Sequence, residues 1–407
     1  MGKREGNVFG GTLLLTGSCI GAGMLGLPIM TGLAGFFPSL VAFFGVWAFM
    51  TLTGLLLVET NGWFSKRVNF ISMVGQSLGK KGKFFCWIFY LFLFYSLLLA
   101  YTAGIGALVT KIFEEFFHIA IPDWAGSLFF VILCGWIIFL GTRHVDIWNR
   151  FLMLGKITVF LALVFLGVRH IQPKLLERSA PEYIVFALPI LVISFGFHNM
   201  IPSLTAYLKN DLKRVRKSII MGGLFALVIY LIWQVIVLGI VPLTGESGIL
   251  TSLKDGSEAS QALIGTLGSS WVSYFATFLA FFAILTSFLA QSLSLSHFLA
   301  DGLNISYKRH EEVWLVVLTL FPPLLLAILY PNIFLKALDF AGGICAVFLF
   351  GVMPVLMVWK GRYKKKIKAD YRVFGGKPLL VVLFLIAIFI AFFQLSRMFH
   401  APYLPKL

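Results

Sequence analysis

Apolar residues along this chain come in long runs broken by short polar segments. The runs fall at about 8–35, 38–62, 84–113, 125–141, 149–168, 183–207, 218–243, 268–299, 312–330, 332–359 and 378–399. Each is long enough, as a helix, to cross about 30 Å of hydrocarbon. The pattern predicts an all-α polytopic membrane protein with eleven transmembrane helices. The paired prolines of "TLFPPLLLAIL" (319–329) kink the ninth helix rather than divide it.

The first run is the least regular. It contains "TGSCIGAGMLGLP" (16–28), four glycines and a terminal proline at membrane depth. Glycine and proline cost a helix interior roughly 1 and 3 kcal/mol against alanine. An unpaired backbone group in hydrocarbon costs several kcal/mol more. Such a segment predicts a helix interrupted near the midplane, its freed backbone groups serving as ligands. Close helix packing by small residues is the plainer alternative.

The polar segments supply the orientation. Hydrophobic residues make up 59% of 407 and charged residues only 12%, with mean hydropathy +0.93. That excludes an ordinary soluble domain, which carries about 25% charge. The net charge is +16, and most of the Lys and Arg lie in alternate connections: the N-terminus, 63–83, 142–150, 208–217, 300–311 and 360–377. By the positive-inside rule this puts the N-terminus in the cytoplasm and the C-terminus outside. "KGRYKKKIKADYR" (360–372) then reads as a loop facing anionic lipid, not as a nucleic-acid surface. The four cysteines lie in or beside apolar runs without paired spacing, so neither a disulfide framework nor a metal centre is expected. The N-terminus imitates a lipoprotein signal ending at Cys19. The apolar run continues past it and Thr16 stands where leucine is usual, so no such processing is expected.

Connection lengths carry a second pattern. Runs two and three are joined by a long segment on the cytoplasmic side (65–83), and runs seven and eight by a long segment on the outside (243–270). Five helices per half is an odd number, so the second half enters from the opposite face. The chain therefore reads as one domain of two inverted repeats, 8–168 and 183–359, with an added helix at 378–399. The leading run of the second half contains "VISFGFHNMIPSL" (192–204), again glycine and polar residues before a proline. Helices one and six are thus both expected to break. Paired half-helices of this kind build substrate and ion sites in secondary transporters. An amino acid suits them, its carboxylate meeting free N–H groups and its ammonium meeting free carbonyls.

"TGSCIGAGMLGLP", "SFGFHNMIPSL" followed by "YLKNDLKRVRKSIIMG", "ILTSFLAQSLSLSHFLADGL" and "PVLMVWKGRY" together resemble the hydroxy and aromatic amino acid permease family. Within it, the chain is most similar to the bacterial tyrosine and tryptophan permease type. The resemblance covers essentially the whole chain. It implies the leucine-transporter fold of the amino acid, polyamine and organocation superfamily. It also implies import of tyrosine, tryptophan or both across the bacterial inner membrane, driven by an ion gradient.

The candidate substrate site is the backbone of Gly17, Ser18, Cys19, Gly21, Ala22 and Gly23, faced across the repeat by Phe195, Gly196 and His198. His198 is an intramembrane ionisable residue, which marks function unless it is merely packed against a carbonyl. It can bond a phenol or indole, or stack on the ring. The resemblance adds Tyr101, similar in place to side chains that touch substrate in this fold. Asp339 is a candidate outer gate, or a partner of Lys336 three residues earlier. Glu59 reads as an interface residue.

Two ion-coupling devices compete. Lys156 lies about 10 Å along helix five, where it either snorkels to the cytoplasmic surface or points at the break in helix one. Some proton-coupled members of the superfamily put a lysine there. Thr286 and Ser287, in "ILTSFLAQ", match a hydroxyl pair that helps hold sodium in other relatives. An ammonium beside Na⁺ would be a like-charge pair, so proton coupling is the first expectation. A sodium-coupled symporter of another neutral amino acid is the alternative. No other cofactor and no obligate protein partner is implied; the partners are substrate and lipid. A channel would want charged rings or a repeated filter. An intramembrane enzyme would want a nucleophile with its base, or a metal cluster. The scattered ionisable residues support neither.

Overall fold

The computed structural model describes residues 6–64, 68–268, 270–303, 309–367 and 369–400. Among these the regular structure is all helix, apart from one isolated bridge between Gly35 and Ser179. The first apolar run is two helices, α1 (Val8–Cys19) and α2 (Gly23–Gly32), bent by 61° at 20–22. Next come α3 (Phe36–Asn61), α4 (Lys80–Phe117), α5 (Asp123–Phe139) and α6 (Thr142–Gly167). The sixth run is again split, into α7 (Leu188–Ser194) and α8 (Ile201–Tyr207). It is followed by α9 (Leu212–Ile240), the short helices α10 (Ile249–Asp255) and α11 (Ala259–Leu267), α12 (Trp271–Leu303) and α13 (Arg309–Leu329). The helical stretch Pro331–Lys364 is α14, and α15 is Gly376–His400.

Eight helices among the described residues are long and apolar enough to cross a membrane, nine if the bent pair α1–α2 is one span. Two shorter apolar helices, Asp123–Phe139 and Val313–Leu329, stand where the sequence pattern puts spans four and nine.

Packing follows the sequence faces. On α6, Phe151, Leu154, Leu161 and Phe165 are exposed, while Leu152, Lys156, Val159 and Leu163 are buried at helical spacing. Both faces of α6 are therefore apolar, and the lysine lies on the inward one. The middle of α14, Ala341–Val352, is wound as a π-helix, a form concentrated at functional sites. Its Phe350 and Phe348 meet rings on other helices: Phe350 packs on His198, and Phe348 on Phe89. Gly35 joins α2 to α3 with φ +86°, and a Cβ there would lie 2.1 Å from the Arg178 carbonyl. Only glycine fits both the dihedral and the approach.

Two buried ion pairs differ from the sequence expectations. Glu59, read as an interface residue, is 1% exposed and accepts a two-pronged contact from Arg362, with Nε to Oε1 at 2.6 Å. The N–H of Val373 donates to the same carboxylate at 2.8 Å. Part of the basic 360–372 loop is thus held by protein: Lys365 Nζ also donates to Gln76 O. Replacing Arg362 by lysine keeps the charge but loses the fork. Arg362→Lys is expected to lower unfolding stability by about 1.5–3 kcal/mol, read as an earlier thermal transition in detergent. An unchanged transition would show that the fork is not needed.

The second pair is Asp339 with Arg397 of α15, at 3.3 Å, beside a hydrogen bond from Gln394 Nε2 at 2.9 Å. Asp339 is 0% exposed, and the Arg397 guanidinium lies 4.8 Å from the Phe186 ring centre. The candidate outer gate is therefore tied into the α14–α15 contact. Sequence spacing offered only Lys336, on its own helix.

Candidate functional site

The break at 20–22 leaves the last carbonyls of α1 and the first N–H groups of α2 without the usual helical partners. Side chains from three other helices take them up. Lys156 Nζ, on α6, donates to Ile20 O at 2.6 Å and reaches Thr286 Oγ1 of α12 at 3.3 Å. Ser287 Oγ, the next residue on α12, accepts from the N–H of Ala22 at 3.0 Å. Lys156 is 2% exposed, and its two hydrogen-bond contacts among the described residues are neutral oxygens. The inward orientation is the one found, and snorkelling is excluded.

The hydroxyl pair is also engaged. Thr286 Oγ1 lies 2.8 Å from Phe282 O, so its own proton goes to the helix backbone and its lone pair receives the lysine. Ser287 caps α2. Lys156, Thr286 and Ser287 therefore form one cluster at the break.

The third helix is α9. Tyr230 Oη lies 2.6 Å from Cys19 O and 2.7 Å from Ser194 O. These carbonyls close α1 and α7, so one side chain meets both interrupted helices. One turn on, Trp233 Nε1 donates to Met24 O at 2.9 Å. Met24 is four residues before Pro28, which lacks the N–H that would have bonded that carbonyl. Gln234 Nε2 donates to Thr31 Oγ1 at 2.5 Å. Tyr230, Trp233 and Gln234 are all fully buried. Sequence reasoning passed over them. The signal was present in "YLIWQ" (230–234): polar atoms at i, i+3 and i+4 within an apolar run mark one face turned to a polar partner.

Of the candidate substrate residues, Gly17 and Ser18 lie within α1. The helix runs through both to Cys19, and Ser18 Oγ donates within it to Leu15 O at 2.7 Å. Cys19 ends α1, Gly21 and Ala22 lie in the break, and Gly23 opens α2. None of these glycines has positive φ; their need is for space. A Cβ on Gly21 would sit 2.5 Å from Ser287 Oγ, and one on Gly23 would sit 3.2 Å from Ser194 Oγ. Phe195 is fully buried with its ring edge-on to Tyr230, centres 5.1 Å apart. Gly196 completes the second break, where a Cβ would meet Ile193 O at 2.8 Å. Tyr101 is buried on α4, three residues before Gly104, against which Phe334 of α14 packs. Gly104 and Phe334 line a cavity of about 230 Å³ shared with Glu258.

His198 is held apart from the span-one cluster by its own contacts. Its ring lies between Phe197 and Phe350, 5.0 and 4.9 Å away and nearly parallel to both. Both faces are therefore covered, and stacking on a ligand ring is closed to it. Nε2 lies 2.9 Å from Thr53 Oγ1, and that hydroxyl also has Phe49 O at 3.1 Å as acceptor. The consistent assignment gives the threonine proton to the backbone and makes Nε2–H the donor. Nδ1 is then a buried acceptor without a partner among the described residues.

The chain matches the model of the tryptophan/tyrosine permease family over residues 4–394. It is 31% identical to "Tyrosine-specific transport system 1" of Haemophilus influenzae, over 97% of this chain and 98% of that one. It is 30% identical to the "Tryptophan-specific transport protein" of the same organism, over 94% of each. The crystal structure of MhsT in complex with L-phenylalanine superposes with a TM-score of 0.62 at 14% identity, covering 98% of this chain and all of that one. The shared fold is of the leucine-transporter type.

Proposed function

The chain belongs to the tryptophan/tyrosine permease family, not to an enzyme family, and we propose that it imports tyrosine, tryptophan or both by proton-coupled alternating access. The bacterial inner membrane is the site of action. Eleven spans in two inverted repeats, 8–168 and 183–359, carry the movement, with 378–399 as an addition. Relatives named for tyrosine and tryptophan transport support the substrate class.

The observation that carries the mechanism is the Lys156 ammonium on Ile20 O at the helix break. Protonated, it donates to Ile20 O and Thr286 Oγ1 together and ties the break to α12. The neutral amine holds those oxygens far more weakly, so proton loss loosens the break. Substrate binds across it, carboxylate towards the N–H groups opening α2 and ammonium towards the carbonyls closing α1 and α7. His198 reads the ring's polar edge, a phenol or indole proton answering the unmatched Nδ1. A sodium ion in the same place would have to displace both the lysine and the Ala22–Ser287 contact.

The test is uptake of labelled tyrosine or tryptophan into proteoliposomes under an inward proton gradient without sodium. Accumulation is expected. Uptake that requires sodium and ignores the pH gradient would refute proton coupling.

Orientation is tested separately, in a background lacking native cysteines. A cysteine placed within 250–258 is expected to react with an impermeant thiol reagent from outside. One placed within 364–368 is expected to react only after permeabilisation. The reverse pattern would overturn the inverted-repeat topology.

A further inference from the structure

Tyr230 presents one hydroxyl proton to two carbonyl oxygens, Cys19 O at 2.6 Å and Ser194 O at 2.7 Å. A phenol donates once. Cys19 O also accepts from the N–H of Gly21 at 2.8 Å, so the better use of the phenol proton is on Ser194 O. That leaves Cys19 O against the phenol oxygen at hydrogen-bond distance with no proton between them. The hydroxyl cannot turn away. Its ring is fully buried, edge-on to Phe195 at 5.1 Å and beside Phe43 at 6.3 Å.

A second observation points the same way. Ser194 is 4% exposed, and its Oγ has no hydrogen-bond partner among the described residues. It stands 3.2 Å from where a Cβ on Gly23 would be. Two carbonyls thus share one fixed donor, and an unmatched serine hydroxyl of the same α7 end faces Gly23. Cys19 O and Ser194 Oγ both keep accepting capacity that no described donor fills, and an uncompensated buried acceptor is costly.

We propose that Tyr230 is the positioning residue for the substrate's ammonium: its hydroxyl stands between the two helix-end carbonyls, donates to Ser194 O and leaves Cys19 O for a primary ammonium. This rests on the amino acid transport reading above. An ammonium brings three N–H donors and a positive charge, which answers both the missing proton and the negative ends of α1 and α7. A ligand with the same ring and carboxylate but no ammonium leaves the acceptors unmatched.

The experiment is counterflow exchange of labelled tyrosine or tryptophan in proteoliposomes. Competitors are the parent amino acid and its deaminated acid, 3-(4-hydroxyphenyl)propionate or indole-3-propionate. The unmodified protein should prefer the amino acid strongly. In Tyr230→Phe the ratio of the two inhibition constants should fall about tenfold or more, with the maximal exchange rate changing much less. In Ser194→Ala, which leaves the tyrosine in place, the same ratio should fall about threefold. A merely structural role would lower the amount of active protein and leave the ratio alone. Unchanged ratios in both variants would overturn the proposal. Should Tyr230→Phe not be recovered from the membrane, the ratio in Ser194→Ala decides. An unmodified protein that exchanges neither amino acid would defeat the transport reading itself, and this inference with it.

Discussion

Lys156→Met protein in vesicles is expected to lose accumulation driven by an imposed pH gradient. One charge crossing about 100 mV is worth roughly 2.3 kcal/mol, enough for about 50-fold concentration of substrate. The variant should fall to plain equilibration. Methionine keeps the length of the side chain and removes the charge, and Ile20 O then loses its 2.6 Å donor. Exchange of substrate for substrate needs no net proton movement, so it should survive in part. The same change removes a buried ammonium whose two hydrogen-bond contacts among the described residues are neutral oxygens, a costly group in hydrocarbon. The variant should therefore be at least as stable as the parent to heating. Normal gradient-driven accumulation by Lys156→Met would clear the lysine of the coupling role.

Gly21→Val should reduce uptake to roughly one-hundredth or less while the protein still reaches the membrane. A displacement of about 1 Å in a positioned site is enough for such a loss. The first added carbon would lie 2.5 Å from Ser287 Oγ, where that oxygen accepts from the N–H of Ala22. The serine can rotate, but then the first turn of α2 loses its cap and the break shifts. Gly21→Ala should retain more activity, since it forces the serine rotation but adds none of the further carbons of valine. Uptake by Gly21→Val at the parental rate would show that the break does not have to approach α12 this closely.

Both expectations rest on features that were legible in the sequence for a physical reason. Glycines at 17, 21, 23 and 26 with Pro28 contradict a membrane helix so plainly that a break is the natural reading. Its counterpart at "SFGFHNMIP" followed from connection lengths. A lone lysine in an apolar run is visible by charge alone, although its direction was not. That direction depends on which face of α6 meets the bundle, and the apolar residues on both faces hide it from a periodicity argument.

Other parts of the site could not be read locally. Arg362 meets Glu59 across 303 residues of chain, and Gln394 meets Asp339 across 55. Local spacing supplies Lys336 for Asp339 and nothing for Glu59, because helix neighbours are set by packing. Tyr230 was obscured differently. In a chain that is 16% aromatic, one more tyrosine carries little signal until its hydroxyl is found between two helix ends. The extent of the break was also overread. Gly17 and Ser18 look like part of the glycine-rich interruption, yet α1 continues to Cys19, with the Ser18 hydroxyl folded back onto Leu15 O within it. The left-handed dihedrals that glycines often supply are not used at this break. Their contribution is room for α12 and α7 to approach.

The central claim is that this chain carries an aromatic amino acid by both of its charged ends. The most direct measurement is counterflow of labelled tyrosine or tryptophan in proteoliposomes, challenged in turn by all twenty amino acids and by tyramine and tryptamine. The account predicts strong competition by tyrosine, tryptophan or both, weak competition by the aliphatic and charged amino acids, and none by the two amines, which lack the carboxylate that α2 receives. Equal competition by tyramine or tryptamine, or a preference for a non-aromatic amino acid, would contradict it.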